Sequence, residues 1–294
     1  MTNTLFDYHT AFSRNIGWMT REEQNILKNK RVAIAGLGGV GGSHLITLTR
    51  LGVGKFNISD FDRFELPNFN RQAGASMSHL NRHKSEVLEE MALDVNPTLE
   101  IKKFPDGVTP DNLAEFLTDV DVYVDGIDFF AFAARESIFA ACAERGIPAV
   151  TAAPLGMGSA FLNFLPGQMT FEQYFQMQGK SDMDKALHFL IGLSPAMLHG
   201  GYLVDPTTFD LLNHKGPSTP MGCELCAGVA ASQALKILLK RGNIVAAPWG
   251  LHFDAYQNKL VKTWRPGGNS NPLQRLRLML AKRQFKKIAE KTVA

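Results

Sequence analysis

The chain has 294 residues, which is enough to bury one large α/β core or slightly more. Its 45% hydrophobic and 20% charged residues are ordinary for a globular protein, and no repeat or low-complexity tract points to a fibrous or disordered chain. Its net charge of +3 indicates no particular class of partner. Three cysteines are too few for a disulfide scaffold and no signal-peptide pattern opens the sequence, so we expect a reducing, cytoplasmic location.

In chain order, the first elements are an N-terminal arm and a helix that begins at Thr20. The run T-R-E-E is a capping box, with Glu23 as its second partner. Apolar runs then predict strands near 31–36, 55–60, 99–104, 121–125 and 147–151, separated by helical segments. This alternation predicts a mostly parallel, doubly wound α/β sheet, and a strand pair at 250–264 completes the fold.

The first strand leads into a glycine-rich turn typical of phosphate binding. Gly36, Gly38 and Gly41 form G-x-G-x-x-G before a helical segment, and Asp60 ends the second strand. Glycines let the backbone approach phosphate, and the following helix offers unpaired N–H groups. This motif alone fits a nicotinamide dinucleotide equally well.

The segment beyond Asp60 is more specific. It carries Asp60, Asp62, Asn68, Asn70, Arg71 and Gln72. In an open α/β sheet, ligands bind beyond the carboxyl ends of the strands. Arg71 and, at the start of the next helix, Lys84 suit phosphate oxygens, and Asp128 after a later strand suits Mg²⁺ held against phosphates. The pattern predicts a triphosphate site, and no Walker A sequence is present, so the P-loop route to ATP is excluded.

Further motifs follow in order along residues 12–266. They include G-L-G-G-V-G at 36–41, L-G-V-G at 51–54, D-F-D at 60–62, N-F-N-R-Q at 68–72, N-P at 96–97, V-D-G-I-D at 124–128, G-I-P-A-V at 146–150, A-S-Q-A-L-K-I-L-L at 231–239 and F-D-A-Y at 253–256. With them the chain resembles the ThiF/MoeB/HesA adenylyltransferases, bacterial relatives of ubiquitin-activating enzymes, which have a Rossmann-like fold.

The resemblance implies a role for each matching residue. The nucleotide would be held by Gly36, Gly38, Gly39, Gly41, Asp60, Asp62, Asn68, Arg71 and Lys84. Asp60 would hold the ribose, Arg71 and Lys84 would contact the phosphates, and Asp128 would hold Mg²⁺. Arg14 matches a family arginine that reaches into the partner subunit's site, which implies a homodimer. The expected catalytic set is therefore Arg14, Arg71, Lys84 and Asp128.

The resemblance also implies the reaction. A substrate carboxylate, expected at the C-terminus of a ubiquitin-like or sulfur-carrier protein, attacks the α-phosphorus of ATP and gives an acyl-adenylate and pyrophosphate. One alternative is a tRNA threonylcarbamoyl-adenosine dehydratase, favoured only by V-T-P-D-N at 108–112, which we expect at a peripheral helix start, and by a basic tail. Others are a non-catalytic scaffold subunit and, least of all, a nicotinamide oxidoreductase, which leaves N-F-N-R-Q unexplained.

The cysteines depart from the family pattern. Many members hold zinc with two C-x-x-C pairs, but here W-R-P-G-G-N at 264–269 replaces the second pair. Zinc is not expected, although His199, His214 or His252 would supply the missing ligands of Cys223 and Cys226. Thioester-forming members place a cysteine that would fall near Gly216, so Cys223 is the nearest candidate for a covalent role. We predict that C-E-L-C opens a buried helix at Leu225–Leu239.

Two segments lie outside the family core. The apolar stretch Ala186–Val204 is nearly as long as a membrane span, but Pro195 and a glycine pair favour a buried or partner-facing helix pair that clamps the acyl substrate. The tail 271–294 is a basic amphipathic segment suited to tRNA or an acidic partner. We therefore divide the chain into an arm and helix (1–30), an adenylation domain (31–266, with a crossover insert at about 167–221) and a basic tail helix (267–294).

Overall fold

The computed structural model describes residues 5–205, 208 and 216–292, with side chains as far as Arg283 in the last helix. In this part of the chain eight strands form one sheet in the order β3-β2-β1-β4-β5-β6-β7-β8. The strands are β1 (Arg31–Ala35), β2 (Lys55–Ser59), β3 (Glu100–Phe104), β4 (Val122–Asp125), β5 (Ala149–Leu155), β6 (Gly158–Phe164), β7 (Trp249–Asp254) and β8 (Lys259–Trp264).

The first five strands are parallel and the last three are antiparallel to their neighbours. The predicted α/β class and doubly wound parallel sheet are therefore confirmed. Strand order reverses direction between β1 and β4, and this switch point opens a crevice at the carboxyl ends of the two strands.

The helices cover both faces of the sheet. They are α1 (Tyr8–Ala11), α2 (Arg21–Lys28), α3 (Gly41–Leu51), α4 (Lys84–Val95), α5 (Leu113–Phe116), α6 (Phe132–Arg145), α7 (Phe171–Phe175), α8 (Asp182–Leu193), α9 (Pro220–Leu238) and α10 (Pro272–Thr292). In β1, Val32 and Ile34 face the layer of α3, α4 and α9, whereas Ala33 faces the layer of α6, α7 and α8. Successive strand residues point to opposite faces, so one short strand supplies both cores.

Helix starts follow local capping chemistry. The capping box at Thr20 and Glu23 is present as predicted. The prediction that α9 begins at Leu225 is wrong, because the Thr219 side chain accepts a hydrogen bond from the Gly222 N–H and Pro220 occupies the first helical position. The C-E-L-C run therefore lies inside the helix, and Cys223 and Cys226 are both buried as expected.

The apolar insert does not form the predicted pair of helices. Helix α8 ends at Leu193, and a 3₁₀ turn follows at Leu198–Tyr202. Pro195 explains the break, since proline disfavours helical backbone in the residue before it. Within the described residues, one helix, α9, is long and apolar enough to cross a membrane. It packs on α3, β5 and β6, and half of its most apolar stretch is buried, as is usual for a core helix.

The tail helix α10 packs on α8. Leu278 joins Leu187 and Ile191 in a small cluster, and the Lys282 ammonium lies 2.7 Å from the Asp184 carboxylate. On the outer side of α10, Leu273, Leu276 and Leu280 are exposed. The tail is thus attached to the insert through Leu278 and Lys282, while the division of the chain at residues 30 and 266 stays a prediction.

Candidate functional site

The glycine turn after β1 lies directly against the end of β4. Gly36 has φ +79°, and a Cβ on it would lie 2.3 Å from the Gly126 carbonyl oxygen. A Cβ on Gly41 would lie 1.7 Å from the Gly36 carbonyl oxygen, closer than any side chain tolerates. Gly41 was expected to cradle ATP, but the structure places it behind the turn, where it permits close packing of α3 on the sheet.

A cavity of about 930 Å³ opens at the carboxyl ends of the strands, beside this turn. Of the residues predicted from sequence, it is lined by Gly36, Gly38, Gly39, Asp60, Asp62, Arg71, Lys84, Asp128 and Cys223. They come from the loops after β1, β2 and β4 and from the starts of α4 and α9. Residues far apart in sequence therefore converge at the switch point, as the parallel topology requires.

Asp60 connects the end of β2 to the glycine turn. Its Oδ2 accepts a hydrogen bond from the Leu37 N–H at 2.6 Å, and its Oδ1 accepts one from the Asp62 N–H at 2.8 Å. Burial raises the pKa of this carboxyl above its usual range, while Lys84 and the two backbone donors oppose the rise. Each oxygen keeps acceptor capacity toward the cavity.

Lys84 places a cation at the cavity wall. It is the first residue of α4, and its backbone N–H donates to the Asp62 carbonyl oxygen at 2.9 Å. Its ammonium lies 3.0 Å from Asp62 Oδ2 and its side chain is only 7% exposed, whereas that of Asp62 is 54% exposed. The charge is thus held in a fixed position by a partner that reaches solvent.

Arg71 and Cys223 meet at Gly39. A Cβ on Gly39 would lie 3.5 Å from Arg71 Nε and 3.4 Å from Cys223 Sγ. The Arg71 Nη1 donates to the carbonyl oxygen of Pro67 at 3.0 Å and to Asn70 Oδ1 at 2.9 Å, which leaves the Nε and Nη2 donors for a ligand. Burial raises the pKa of the Cys223 thiol, and neither the Ser218 hydrogen bond nor Arg71 offsets it, so the thiol form is favoured.

Besides Gly41, two more of the predicted site residues, Asn68 and Arg14, do not line the cavity. Asn68 Oδ1 accepts a hydrogen bond from the Glu65 N–H at 3.0 Å and stabilises the 3₁₀ turn Leu66–Asn68. In this structure Asn68 therefore shapes the turn, and its expected contact with the nucleotide stays a prediction. Arg14 is exposed in the 3₁₀ turn Ser13–Asn15, which is compatible with an arm that serves another subunit, but the predicted homodimer is not tested by a single chain.

A buried ion pair under the cavity was missed by the sequence analysis. Asp125 ends β4, and its Oδ2 lies 2.9 Å from Arg135 Nε in α6, with both side chains at most 3% exposed. The Thr151 hydroxyl donates to the same oxygen at 2.9 Å. Buried charges in proteins are paired and hydrogen-bonded in this way because desolvation is costly.

Arg135 also shapes the loop that carries Asp128. Its Nη2 donates to the Ile127 and Asp128 carbonyl oxygens at 2.6 and 3.0 Å, and its Nη1 donates to the Phe129 carbonyl oxygen at 3.2 Å. The guanidinium carbon lies 4.6 Å from the centroid of the Phe189 ring in α8. One side chain thus joins β4, the Asp128 loop and the insert. No local signal in the sequence marks Arg135, because α6 also carries Glu136, Glu144 and Arg145.

Asp128 was expected to hold Mg²⁺. It is exposed at the cavity, three residues beyond the end of β4, and its Oδ1 accepts from the Phe130 N–H at 3.0 Å. The residues that the structure describes contain no cluster of three or more His, Cys, Asp or Glu side chains placed for a metal. One free carboxylate oxygen fits Mg²⁺ only where phosphates supply most ligands.

The loop after β3 was placed wrongly by the sequence analysis. Val108 and Thr109 were expected in a peripheral helix start, yet both line the cavity. Since β3 lies beside β2, the carboxyl ends of the two strands open on the same crevice. His214, considered as a zinc ligand, lies outside the described residues.

Comparison with known proteins gives one family and one fold. A model of the ThiF family matches residues 12–276. The chain is similar to the sulfur carrier protein ThiS adenylyltransferase of Escherichia coli K12 (30% identical over 143 residues, 49% of this chain and 56% of that protein). It is equally similar to the tRNA threonylcarbamoyladenosine dehydratase of Bacillus subtilis 168 (30% over 150 residues, 51% and 57%). The chain thus spans about half the length of the curated relatives it matches.

Solved structures extend the similarity over the fold. Escherichia coli MccB with ATP gives a TM-score of 0.63 at 19% identity and covers 89% of this chain and 72% of that one. PaaA gives a TM-score of 0.65 at 16% identity, with coverage of 90% and 77%. At such low identity the match establishes a common architecture and leaves activity to be argued from the site.

Proposed function

The chain belongs to the ThiF family, and from that premise we propose that it is an ATP-dependent adenylyltransferase that activates a substrate carboxylate as an acyl-adenylate. The observation that carries the proposal is the convergence of a glycine turn, one buried acid and two cations in a single cavity at the switch point. The acid, Asp60, follows β2 at the position that suits a ribose hydroxyl. Arg71 and Lys84 line the same cavity and would contact the phosphates.

The proposed reaction is a displacement at phosphorus. A carboxylate oxygen of the substrate bonds to the α-phosphorus, the bond to the bridging oxygen breaks, and pyrophosphate leaves with the electron pair. Catalysis then rests on positioning and on neutralising charge that develops on the phosphate oxygens. Arg71 offers a fork of donors to those oxygens, and Lys84 offers a fixed ammonium. No side chain of the protein forms a covalent bond in this adenylation step.

Magnesium is proposed as the ion that accompanies ATP. When bound, it would neutralise phosphate charge, with Asp128 as its protein ligand. Arg135 supports this role indirectly, since its hydrogen bonds to three successive carbonyl oxygens hold the backbone on both sides of the Asp128 side chain.

We propose a peptide or protein C-terminus, such as that of a ubiquitin-like or sulfur-carrier protein, as the source of the carboxylate, because one relative is named for the sulfur carrier protein ThiS. A homodimer in which Arg14 enters the partner's site, a cytoplasmic location and a covalent role for Cys223 remain proposals on the same resemblance. The non-catalytic scaffold reading is opposed by the retention of Arg71, Lys84 and Asp128 together at the cavity.

Calorimetry with ATP and Mg²⁺, compared with NADH, tests the nucleotide assignment. We expect ATP but not NADH to bind, and Arg71→Ala to weaken ATP affinity by about 10- to 100-fold, because hydrogen bonds to charged groups contribute about 1.5–3 kcal/mol. Arg63→Ala is the matched control, since Arg63 is exposed and contacts Asn81 outside the cavity. ATP–pyrophosphate exchange then tests catalysis with candidate carboxylates. Preference for NADH, or equal ATP affinity in both variants, contradicts the proposal.

A second candidate function is RNA modification of the dehydratase type. It is favoured by two relatives named tRNA threonylcarbamoyladenosine dehydratase, at 30% and 31% identity, and by the basic composition of α10. A variant with Lys286→Glu and Lys287→Glu should then lower tRNA affinity and flatten its dependence on salt. Unchanged tRNA binding in this variant would remove the tail from the argument.

A further inference from the structure

The cavity has two chemically different ends. The strand order places β2 and β3 on one side of the switch point and β4 and β5 on the other. On the β2–β3 side lie Asp60, Lys84 and the loop with Val108 and Thr109. Because an acid after β2 holds the ribose in this topology, the adenosine occupies that side and its phosphates extend toward β4. The substrate carboxylate must then approach from the β4–β5 side.

The lining on that side is almost entirely apolar. We call it the acyl-side pocket, and it is formed by Phe130, Ala134, Ile138, Leu155, Phe189 and Leu190. These residues come from the Asp128 loop, α6, β5 and α8. Ile138 and Phe189 are at most 2% exposed and form the packed layer behind the pocket, whereas its accessible surface belongs to Leu190 and Leu155, at 7% and 9%, and to the half-buried Phe130 and Ala134.

The acyl-side pocket offers no charge to a polar substrate group. Of the described charged residues that line the whole cavity, the nearest to this pocket by sequence and strand are Asp125, Arg135 and Asp128. Asp125 and Arg135 neutralise each other at 2.9 Å, and both Nη atoms of Arg135 donate to loop carbonyl oxygens. The Thr151 hydroxyl donates to Asp125. Asp128 is exposed and is assigned above to Mg²⁺, so a polar or charged substituent among the six side chains of the pocket would lose its hydration without gaining a partner.

This inference rests on the adenylation proposed above. We infer that the substrate carries a bulky apolar group next to its activated carboxylate, and that this group binds in the acyl-side pocket. A terminal glycine leaves such a pocket empty and forfeits its contacts. Aromatic and branched aliphatic groups fill it, whether they belong to a free carboxylic acid or to the last residue of a peptide. The insert helix α8 then acts as a selectivity wall through Phe189 and Leu190.

The direct test uses stable acyl-sulfamoyl adenosine analogues of the acyl-adenylate. By calorimetry on the full chain, we expect the 3-phenylpropionyl analogue to bind about 10- to 100-fold more tightly than the acetyl analogue, as burial of one large apolar group implies. Ala134→Leu should abolish this difference by filling the pocket while leaving the acetyl analogue bound. Ala133→Leu, on the exposed side of the same helix, should preserve it. If Ala134→Leu does not fold, Ala153→Leu, which also lines the cavity, replaces it.

Two results overturn the inference and are distinguishable. If ATP binds and the 3-phenylpropionyl and acetyl analogues bind with equal affinity, the inferred preference for an apolar acyl group is wrong and the adenylation proposal stands. If neither analogue nor ATP binds, the adenylation proposal fails and this inference fails with it. Pyrophosphate exchange with free 3-phenylpropionate and with a short peptide ending in Phe separates the two sources of the apolar acid. Exchange with a glycine-terminated peptide alone contradicts the inference.

Discussion

Replacing Arg135 by methionine tests whether one buried ion pair supports the site. Methionine keeps much of the side-chain length, but it leaves the Asp125 carboxylate buried and unpaired. Removing one partner of such a pair costs about 3–5 kcal/mol. Asp125 keeps the Thr151 hydroxyl at 2.9 Å and longer contacts from the Ile127 N–H at 3.2 Å and the Tyr123 hydroxyl at 3.3 Å, so we expect a loss near the lower limit, about 3 kcal/mol.

The assay is denaturant unfolding at neutral pH, with the free energy of unfolding taken from the transition midpoint and slope. Arg145→Met, at the exposed end of the same helix, is the control and should change stability by no more than about 0.5 kcal/mol. Adding Asp125→Asn to Arg135→Met should restore part of the loss, because the unpaired charge is removed. The reasoning is refuted if the single and double variants are equally unstable, or if Arg135→Met behaves like Arg145→Met.

Gly41→Ala should lower the unfolding free energy by at least about 1–3 kcal/mol in denaturant unfolding, because its Cβ meets backbone, whereas Gly228→Ala in α9 should raise it by about 0.5–1 kcal/mol, since no atom lies within 4 Å. Similar effects of the two would contradict the close backbone packing. Cys223 should react with iodoacetamide slowly at pH 7 and faster as pH rises, because burial raises its pKa; mass spectrometry showing labelling as fast as free cysteine would disprove this. Burial lowers the pKa of His44 to about 4, so the unfolded chain takes up a proton first and stability falls by up to about 3 kcal/mol as pH drops from about 6.5 to 4. His44→Leu should flatten this part of the pH profile, and parallel profiles would exclude the effect.

Local spacing explains what could be predicted from the sequence. Each of the correctly placed residues belongs to a short sequence pattern at the end of a strand or the start of a helix. They are the glycine turn, Asp60, Arg71 and Lys84, and all of them line the cavity. The parallel sheet follows equally from the alternation of strands and helices. These predictions need only the chain order of elements and the rule that parallel strands end at a common edge.

The errors lie where side chains distant in sequence must meet. The pair Asp125–Arg135 depends on how α6 is rotated against β4, and no local pattern encodes that rotation. Val108 was judged peripheral because its neighbours look like a helix start, but its position is decided by the pairing of β3 with β2. For α9, Thr219 followed by Pro220 is a helix-start pattern visible in the sequence. The helix start was instead predicted at the cysteine pair, which is the more conspicuous motif.

Helix α8 contacts the acyl-side pocket with one face and the tail helix α10 with another, so binding at the two places can be coupled. Phe189 and Leu190 line the acyl-side pocket, while Leu187 and Ile191 pack on the tail helix α10. A binder of α10 that prefers one position of α8 changes the free energy of acyl binding, and the acyl group must change the binder's affinity by the same factor. Binding of a partner to α10 and binding of an acyl group in the pocket are therefore thermodynamically coupled to the extent that each changes the position of α8.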